Sequence, residues 1–546
     1  METLIRAVHT RHNWQEVFED PLFRDAFIEE WVPQYITKRR WFAGKSTPVK
    51  VFKIERILPL PTDFGYYYHI IVEVVYEPGY TETYLLPLSF VTILPKEDDI
   101  KILGKCVIEG TEGFLVEAVY LEDYRNALFN HMIKSSKIGI GADNFFLFER
   151  GKVMTENEGD KISSELLNVE QSNTSIIYNN KYILKIYRKL FMDHNPDHEL
   201  VRFLSDQAGF THSPKYGGSV SWVRSGNFMV SIALMTELIP NQGEGWDYML
   251  KKIESAFDNF LNSDLKISEL PKLKYLRKMK ASSIPDQYSV LIGEEFLDNI
   301  EMLAKRTAQM HVALASNKID RHFVPRSYNS DFSVWLKNRL IYIFENRYNM
   351  LESNLHKLEG DGLEYAHEFI SHKSDIIKHF LSFDELKLNS KRIRIHGDYH
   401  LGQVLLADND FFILDYEGEP ESTIRDRKVK QSPLKDVAGI FRSFHYAIYA
   451  TLFKKKKYQD SQNECSLLGS KLFRVITNVF LDKYCRVAFK NNLDIGYSQE
   501  IKYLLKYHLL EKAVYELGYE LNARPDWAII PLKGIMQILN VEENEK

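Results

Sequence analysis

The stretch HGDYHLGQVLL, His396 to Leu406, followed by FFILDYEGEP, Phe411 to Pro420, decides how this chain of 546 residues is read. Short apolar runs at Ile393 to Ile395 and Phe411 to Tyr416 predict two strands around it, and Asp408-Asn409-Asp410 supplies a turn signal. Almost everything else beyond Leu238 has helical rhythm. Apolar residues recur at helical spacing over Trp246–Leu261, Glu295–Ala315, Asp331–Leu351, Glu364–Leu381, Lys435–Phe453, Leu467–Phe489 and Glu500–Leu521. A small sheet bearing polar residues inside a helical region is where chemistry is expected.

That chemistry is phosphoryl transfer. The reaction needs a carboxylate to orient an acceptor hydroxyl and take its proton, a metal ligand nearby, and a second carboxylate on the magnesium that bridges the nucleotide phosphates. Asp398, Gln403 and Asp415 supply these in order. The five-residue step from Asp398 to Gln403 matches the Asp-to-Asn step of the protein-kinase catalytic loop, and Asp415 ends an apolar strand as the kinase metal-binding aspartate does. Gln for Asn keeps an amide oxygen, a hard ligand suited to magnesium. His396 and His400 are four apart, but Gly397 makes a loop of the segment, so both are read as hydrogen-bonding structural groups, not zinc ligands.

Upstream, Thr174–Tyr178 and Tyr182–Tyr187 flank Asn179-Asn180, which predicts a hairpin with Lys185 in its second strand. Asn195-Pro196-Asp197 then signals a helix start. Lys185 is assigned to the nucleotide phosphates and Glu199, early in that helix, to pairing with it. No GxGxxG precedes the lysine; the turn from Gln171 to Ser175 offers Ser172 and Thr174 as phosphate-facing donors, with a plain polar turn as the competing reading. Glu237 falls where a hinge would present backbone groups to adenine.

Composition sets the outer limits. There are 70 basic and 75 acidic residues, a net charge of −5, which leaves no global positive field for nucleic acid or anionic lipid. The tetralysine Lys454–Lys457 is read as a solvated loop. Three scattered cysteines suggest neither a disulfide framework nor a zinc site. No apolar run reaches the ~20 residues of a membrane helix, so a cytoplasmic protein with no membrane contact is expected. The dense β-branched and aromatic runs Tyr66–Tyr76, Thr83–Leu94 and Gly113–Val119 predict a mostly antiparallel sheet between Lys50 and Phe148.

These residues together resemble the bacterial maltokinases, relatives of the aminoglycoside phosphotransferases with a protein-kinase-like fold. The likeness runs from RWFAGK at Arg40–Lys45 through EQSNTS at Glu170–Ser175, NPDHE at Asn195–Glu199, HGDYHLGQVL and LDYEGEP. It continues in SPLKDVAG at Ser432–Gly439 and EKAVYELGYELNARPDW at Glu511–Trp527. Ala43 stands where the family commonly has glycine.

The resemblance implies an α+β, bilobal protein-kinase-like fold with a β-rich N-terminal cap subdomain and a mainly helical C-lobe. The expected divisions are a cap over 1–95, an intermediate subdomain plus nucleotide lobe over 96–237, and the helical lobe with the acceptor pocket over 238–546. It implies ATP-dependent, Mg2+-assisted phosphorylation of maltose at its anomeric hydroxyl, giving maltose 1-phosphate for α-glucan synthesis from trehalose, with trehalose synthase as a partner. It makes Asp398 the base, Gln403 and Asp415 the magnesium ligands and Lys185 a phosphate contact, and it places Tyr515, Tyr519 and Glu511 in the sugar pocket. Trp41 and Phe42 are expected to pack against the nucleotide lobe. Asp436 and Arg442, six apart around a helix start, are read as an ion pair that braces the loop after Asp415, with contact to substrate as the competing reading. A kinase for another sugar, such as glucosamine, and a non-catalytic partner subunit of trehalose synthase remain as alternatives.

Overall fold

The computed structural model describes residues 7–94, 102–141, 144–155, 159, 161–167, 172–226, 228–454, 456–459 and 462–544. The chain divides into two compact units, one of residues 1–202 and 214–239 and the other of 203–213 and 240–546. It is a mixed α+β protein, rich in β-structure in the first unit and helical in the second.

In the first unit, β1 (Val8–Thr10), β2 (Val49–Thr62), β3 (Gly65–Tyr76), β4 (Thr81–Val91), β5 (Ile102–Ile108) and β6 (Thr111–Glu117) form one sheet in the order β1-β5-β6-β4-β3-β2. β1 runs parallel to β5 and the other pairs are antiparallel. The sheet continues to Glu117, past the boundary expected at residue 95, because β6 pairs with β4. Its core is aromatic: Phe18 lies edge-on to Phe23, Phe27 and Tyr68, and Phe23 lies edge-on to Trp31. A Cβ on Gly104 would lie 2.4 Å from the Trp31 ring, so only glycine admits the indole there. A helix at Glu122–Ile133 interrupts the stretch read as continuous sheet.

A second sheet holds β7 (Lys137–Gly139), β8 (Phe145–Arg150), β9 (Ser164–Leu166), β10 (Thr174–Tyr178), β11 (Tyr182–Ile186), β13 (Tyr216–Arg224) and β14 (Phe228–Glu237), ordered β7-β8-β13-β14-β11-β10-β9. The β10–β11 hairpin turns at Asn179 and Asn180 with φ of 53° and 52°, the left-handed conformation that asparagine tolerates. Between β11 and the next helix, β12 (Lys189–Leu190) leaves this sheet and pairs with β4 of the first. Gln171 of the expected phosphate turn lies outside the described residues, as does part of the polar stretch 156–166.

The second unit is built on long helices, among them Gly245–Leu261, Glu294–Leu314, Ser330–Asn354, Leu434–Lys454, Gln462–Lys490 and Ser498–Ala523. The helix expected over Glu364–Leu381 is two, Gly360–Ser371 and Lys373–Leu381, broken at His372. A further helix at Ile529–Asn544 was not expected. The polar stretch beyond Ser263 is fastened to helix Gln462–Lys490: Lys471, Arg474 and Asn478 donate to the carbonyls of Leu270, Leu273 and Lys274. Lys455 of the tetralysine run lies outside the described residues; helical segments flank it where a loop was expected.

Candidate active site

The polar loop of the second unit rests on a two-stranded hairpin, β17 (Val404–Ala407) with β18 (Asp410–Ile413), whose turn residues Asp408 and Asn409 have φ of 51° and 58°. The first expected strand is shorter and sits earlier than read: Lys391–Arg392 pairs with Arg326–Ser327, and Ile393 makes a single bridge to Gln431. Arg306 of helix Glu294–Leu314 binds the Asp410 carboxylate and so anchors the hairpin.

Three devices shape the loop itself. Gly397, at φ 88°, turns the chain into Asp398. Buried Asp436 accepts the backbone N–H groups of His396 and Gly397 at 2.8 and 2.9 Å and binds His311 Nε2 at 2.9 Å. Gly439, one turn along the same helix, lets the loop press in, since a Cβ there would lie 2.5 Å from the Tyr399 carbonyl oxygen. His396 Nε2 bonds the Leu414 carbonyl at 2.8 Å, and His400 Nδ1 accepts from the Gly402 N–H at 3.1 Å, the structural roles expected of both.

Asp436 and Arg442 do not pair with each other. Six residues apart, they point to different neighbours: Asp436 braces the loop before Asp398, and Arg442 binds Glu516 through Nε at 2.9 Å and Nη2 at 2.8 Å. Burial raises the Asp436 carboxyl, but the His311 bond, the nearby imidazoles and the Gly397 N–H outweigh it and hold the group below the usual carboxylate range. Replacing Asp436 by Ala orphans two buried N–H groups, so urea unfolding should show a loss of about 3 kcal/mol. Catalytic activity should fall with it; an unchanged unfolding midpoint would remove Asp436 from this role.

Asp398 is partly buried and ion-paired. Its Oδ1 lies 2.9 Å from Lys512 Nζ, and His400 Nε2 is 4.0 Å from Oδ2. Burial pushes this carboxyl up, but the Lys512 and His400 charges prevail and hold it well below its ordinary range. Lys512 in turn is raised: desolvation opposes its charge, and Asp398, Glu419 and Glu516 more than offset that. Glu419, 3.5 Å from Lys512, also takes Arg339 at 3.0 Å.

Gln403 Nε2 donates to Asp415 Oδ2 at 3.0 Å, so the two expected magnesium ligands are adjacent. Asp415 has φ 61°, a strained value for a non-glycine residue and one often found at functional sites. The carboxylate of Glu417 comes within 4.8 Å of that of Asp415. Two carboxylates and a side-chain amide form a hard-oxygen donor set, which fits Mg2+ once the Gln403 amide turns its Oε1 inward.

Glu511, assigned to the sugar pocket, is instead buried in a structural cluster. Its Oε1 takes Lys435 at 2.8 Å and Arg339 at 3.3 Å, and its Oε2 takes His508 at 2.8 Å, which occupies both oxygens. The physical reason is helical: adjacent residues on Ser498–Ala523 point about 100° apart, and Lys512, not Glu511, lies toward Asp398. Tyr515 stays with this cluster, its ring 4.8 Å from Lys512 Nζ. Tyr519, a turn further, is 54% exposed with Arg524 5.8 Å from its ring.

The residues assigned to the nucleotide from the sequence lie in the first unit. Lys185, on β11 opposite Ser175, has Asp197 Oδ2 at 3.4 Å, and Tyr187 donates to the same oxygen at 3.3 Å. Glu199, the expected partner, has its Oε1 3.7 Å from His194 Nδ1. Asn195 caps that helix through the Asp197 N–H at 2.9 Å. Thr174 pairs with Ile186 at the start of the hairpin, and Ser172 accepts weakly from Asn173 at 3.4 Å. Glu237 ends β14; its N–H donates to Lys215 O at 2.9 Å and that of Leu238 to Lys181 O at 2.7 Å. Neither amide is therefore spare for adenine.

A lysine hairpin with a following helix, and a loop presenting a carboxylate, an amide and a second carboxylate, are the parts of the kinase-like fold. A solved glucosamine kinase in complex with glucosamine, ADP and inorganic phosphate has that fold in common with this chain, with a TM-score of 0.60 at 16% identity, covering 97% of this chain and 100% of the other. A second crystal form of glucosamine kinase gives a TM-score of 0.59 at 16% identity, covering 91% and 96%. In sequence, the glucosamine kinase of Streptacidiphilus jiangxiensis is 21% identical over 374 residues, 68% of this chain and 72% of that protein. Residues 35–120 match the maltokinase N-terminal cap domain, the region that holds RWFAGK and most of the first sheet. The chain thus has a region similar to the maltokinase N-terminal cap, over residues 35–120, together with a kinase-like fold.

Lys512, Asp197 and Glu417 were missed in reading along the chain. A signal for Lys512 exists, since Lys512, Tyr515, Glu516 and Tyr519 repeat at helical spacing on one face. No helix of the described residues is long and apolar enough to cross a membrane.

Proposed function

We propose that the protein is an ATP-dependent sugar kinase that phosphorylates maltose at its anomeric hydroxyl. The observation that carries the kinase reading is Asp398, ion-paired with Lys512, on the same loop and hairpin as the adjacent Gln403 and Asp415. With Oδ1 held by Lys512, Oδ2 faces the acceptor hydroxyl and takes its proton as the sugar oxygen attacks the γ-phosphorus of ATP. The new O–P bond forms, the bridging β,γ O–P bond breaks, and ADP leaves. Magnesium held by Gln403, Asp415 and Glu417 would neutralise phosphate charge. Lys512 offsets the negative charge at the acceptor side.

The acceptor reading rests on the cap match and on the charges around Tyr515. Carboxylates do surround it, as an amino sugar would want, but each already has a cation: Glu419 has Arg339 and Lys512, Glu421 has Arg347, and Glu516 has Arg442. A neutral sugar suits such a balanced pocket better than glucosamine, which remains the second reading because of the glucosamine kinase relative. An ADP-release screen over maltose, glucose, glucosamine, trehalose and an aminoglycoside, with NMR locating the phosphate, tests this. Maltose should turn over with phosphate on C1; preference for glucosamine would reverse the assignment.

A further inference from the structure

We propose that the Arg-Trp-Phe-Ala run of the cap sets the geometry of the nucleotide turn at Ser172–Thr174 through one buried guanidinium, that of Arg188. This rests on the reading that the turn and Lys185 meet the phosphates of ATP. Arg188 stands three residues after Lys185, where the chain leaves β11 for the first sheet, and it is 2% exposed.

Its fork is committed on both sides of that passage. Toward the turn, Nε donates to Thr174 Oγ1 at 2.7 Å, and the Arg188 backbone N–H reaches Asn173 Oδ1 at 3.4 Å. Toward the cap, Nη2 donates to Glu117 Oε2 of β6 at 2.5 Å and Nη1 to the Leu85 carbonyl of β4 at 3.4 Å. The Arg188 carbonyl accepts the Leu85 N–H at 2.8 Å. Trp41 covers the guanidinium, its ring 5.1 Å from the central carbon.

The cap run is itself fixed nearby. Trp41 and Phe42 pack on Tyr84 with ring centroids 5.9 and 5.3 Å away, and the Ala43 N–H donates to the Tyr84 hydroxyl at 3.2 Å. That hydroxyl and the one on Tyr76 share Glu82, which also holds Lys189. A planar fork bonded to two strands of one sheet and to the first residue of β10 in the other transmits position as well as charge, a task lysine's point charge does not perform. Arg188 is thus a positioning residue for the nucleoside triphosphate, and Trp41 acts through it.

The test is ATP-analogue binding by calorimetry on the full chain, together with steady-state kinetics. Trp41→Leu should weaken nucleotide binding and raise KM for ATP by about fivefold while kcat and the acceptor KM hold. Thr174→Val should do the same, and the double variant should be no weaker than the worse single one, because both cut one linkage. Arg188→Lys should not restore affinity. Phe23→Leu, in the same cap core against Phe18 and Trp31, should lower stability and leave nucleotide affinity unchanged. Unchanged affinity in Trp41→Leu, or multiplying effects in the double variant, overturns the proposal. If Trp41→Leu does not fold, Thr174→Val and Arg188→Lys decide it. A wild-type chain that binds no nucleotide overturns instead the reading on which the proposal rests.

Discussion

Asp398→Asn should lower sugar-dependent ADP release by about a thousandfold, the scale on which a positioned general base contributes. The substitution keeps the size of the side chain and a bond to Lys512 but removes the oxygen proposed as the base. Nucleotide binding should change little, because Lys185 and the hairpin that carries it belong to the first unit. Single-turnover measurements at saturating ATP separate the two effects. Release within tenfold of the wild-type rate would mean that Asp398 is not the base.

Lys512→Met has the second large effect, and its signature is in the pH profile. Asp398 has a folded-state pKa below its unfolded value of about 3.9, so its contribution to stability is complete above that value and is lost as pH falls through the lower, folded one. Lys512 has a raised pKa, so its share is complete below about 10.4 and is lost only as pH rises through the higher folded value. The pair is therefore fully charged across the neutral range. Without Lys512, burial acts on Asp398 with less opposition, its carboxyl rises, and the acid limb of kcat/KM moves toward neutral pH. Two carboxylates, buried Glu419 and half-buried Asp398, also lose a cation they had in common, at a cost of about 3 kcal/mol. An acid limb at the wild-type position, with wild-type stability, would show that Lys512 has no hold on Asp398.

The two variants bear on how much of the site could be read along the chain. Asp398, Gln403 and Asp415 fall within eighteen consecutive residues, and their relation depends on one hairpin whose turn, Asp408-Asn409, announces itself by residue type. Local chemistry of that sort survives in a linear text. The Asn179-Asn180 hairpin and the Asn195 cap were legible for the same reason. Lys512 was not, because its tie to Asp398 spans 114 residues and depends on which way a buried helix is rotated. One position along that helix separates Lys512, on the Asp398 carboxylate, from Glu511, locked between Lys435, Arg339 and His508.

The sequence by itself determined that this is a chain with a kinase-type loop, a lysine hairpin and a cap of aromatic β-structure, since each is written in contiguous residues with their own turn and strand chemistry. Only the tertiary structure decided which charges meet. Asp436 under the loop, Lys512 beside Asp398 and Arg188 under Trp41 are all set by helix rotation and sheet-to-sheet packing. Such contacts depend on how cores fill space, and residue spacing in one dimension carries no record of them.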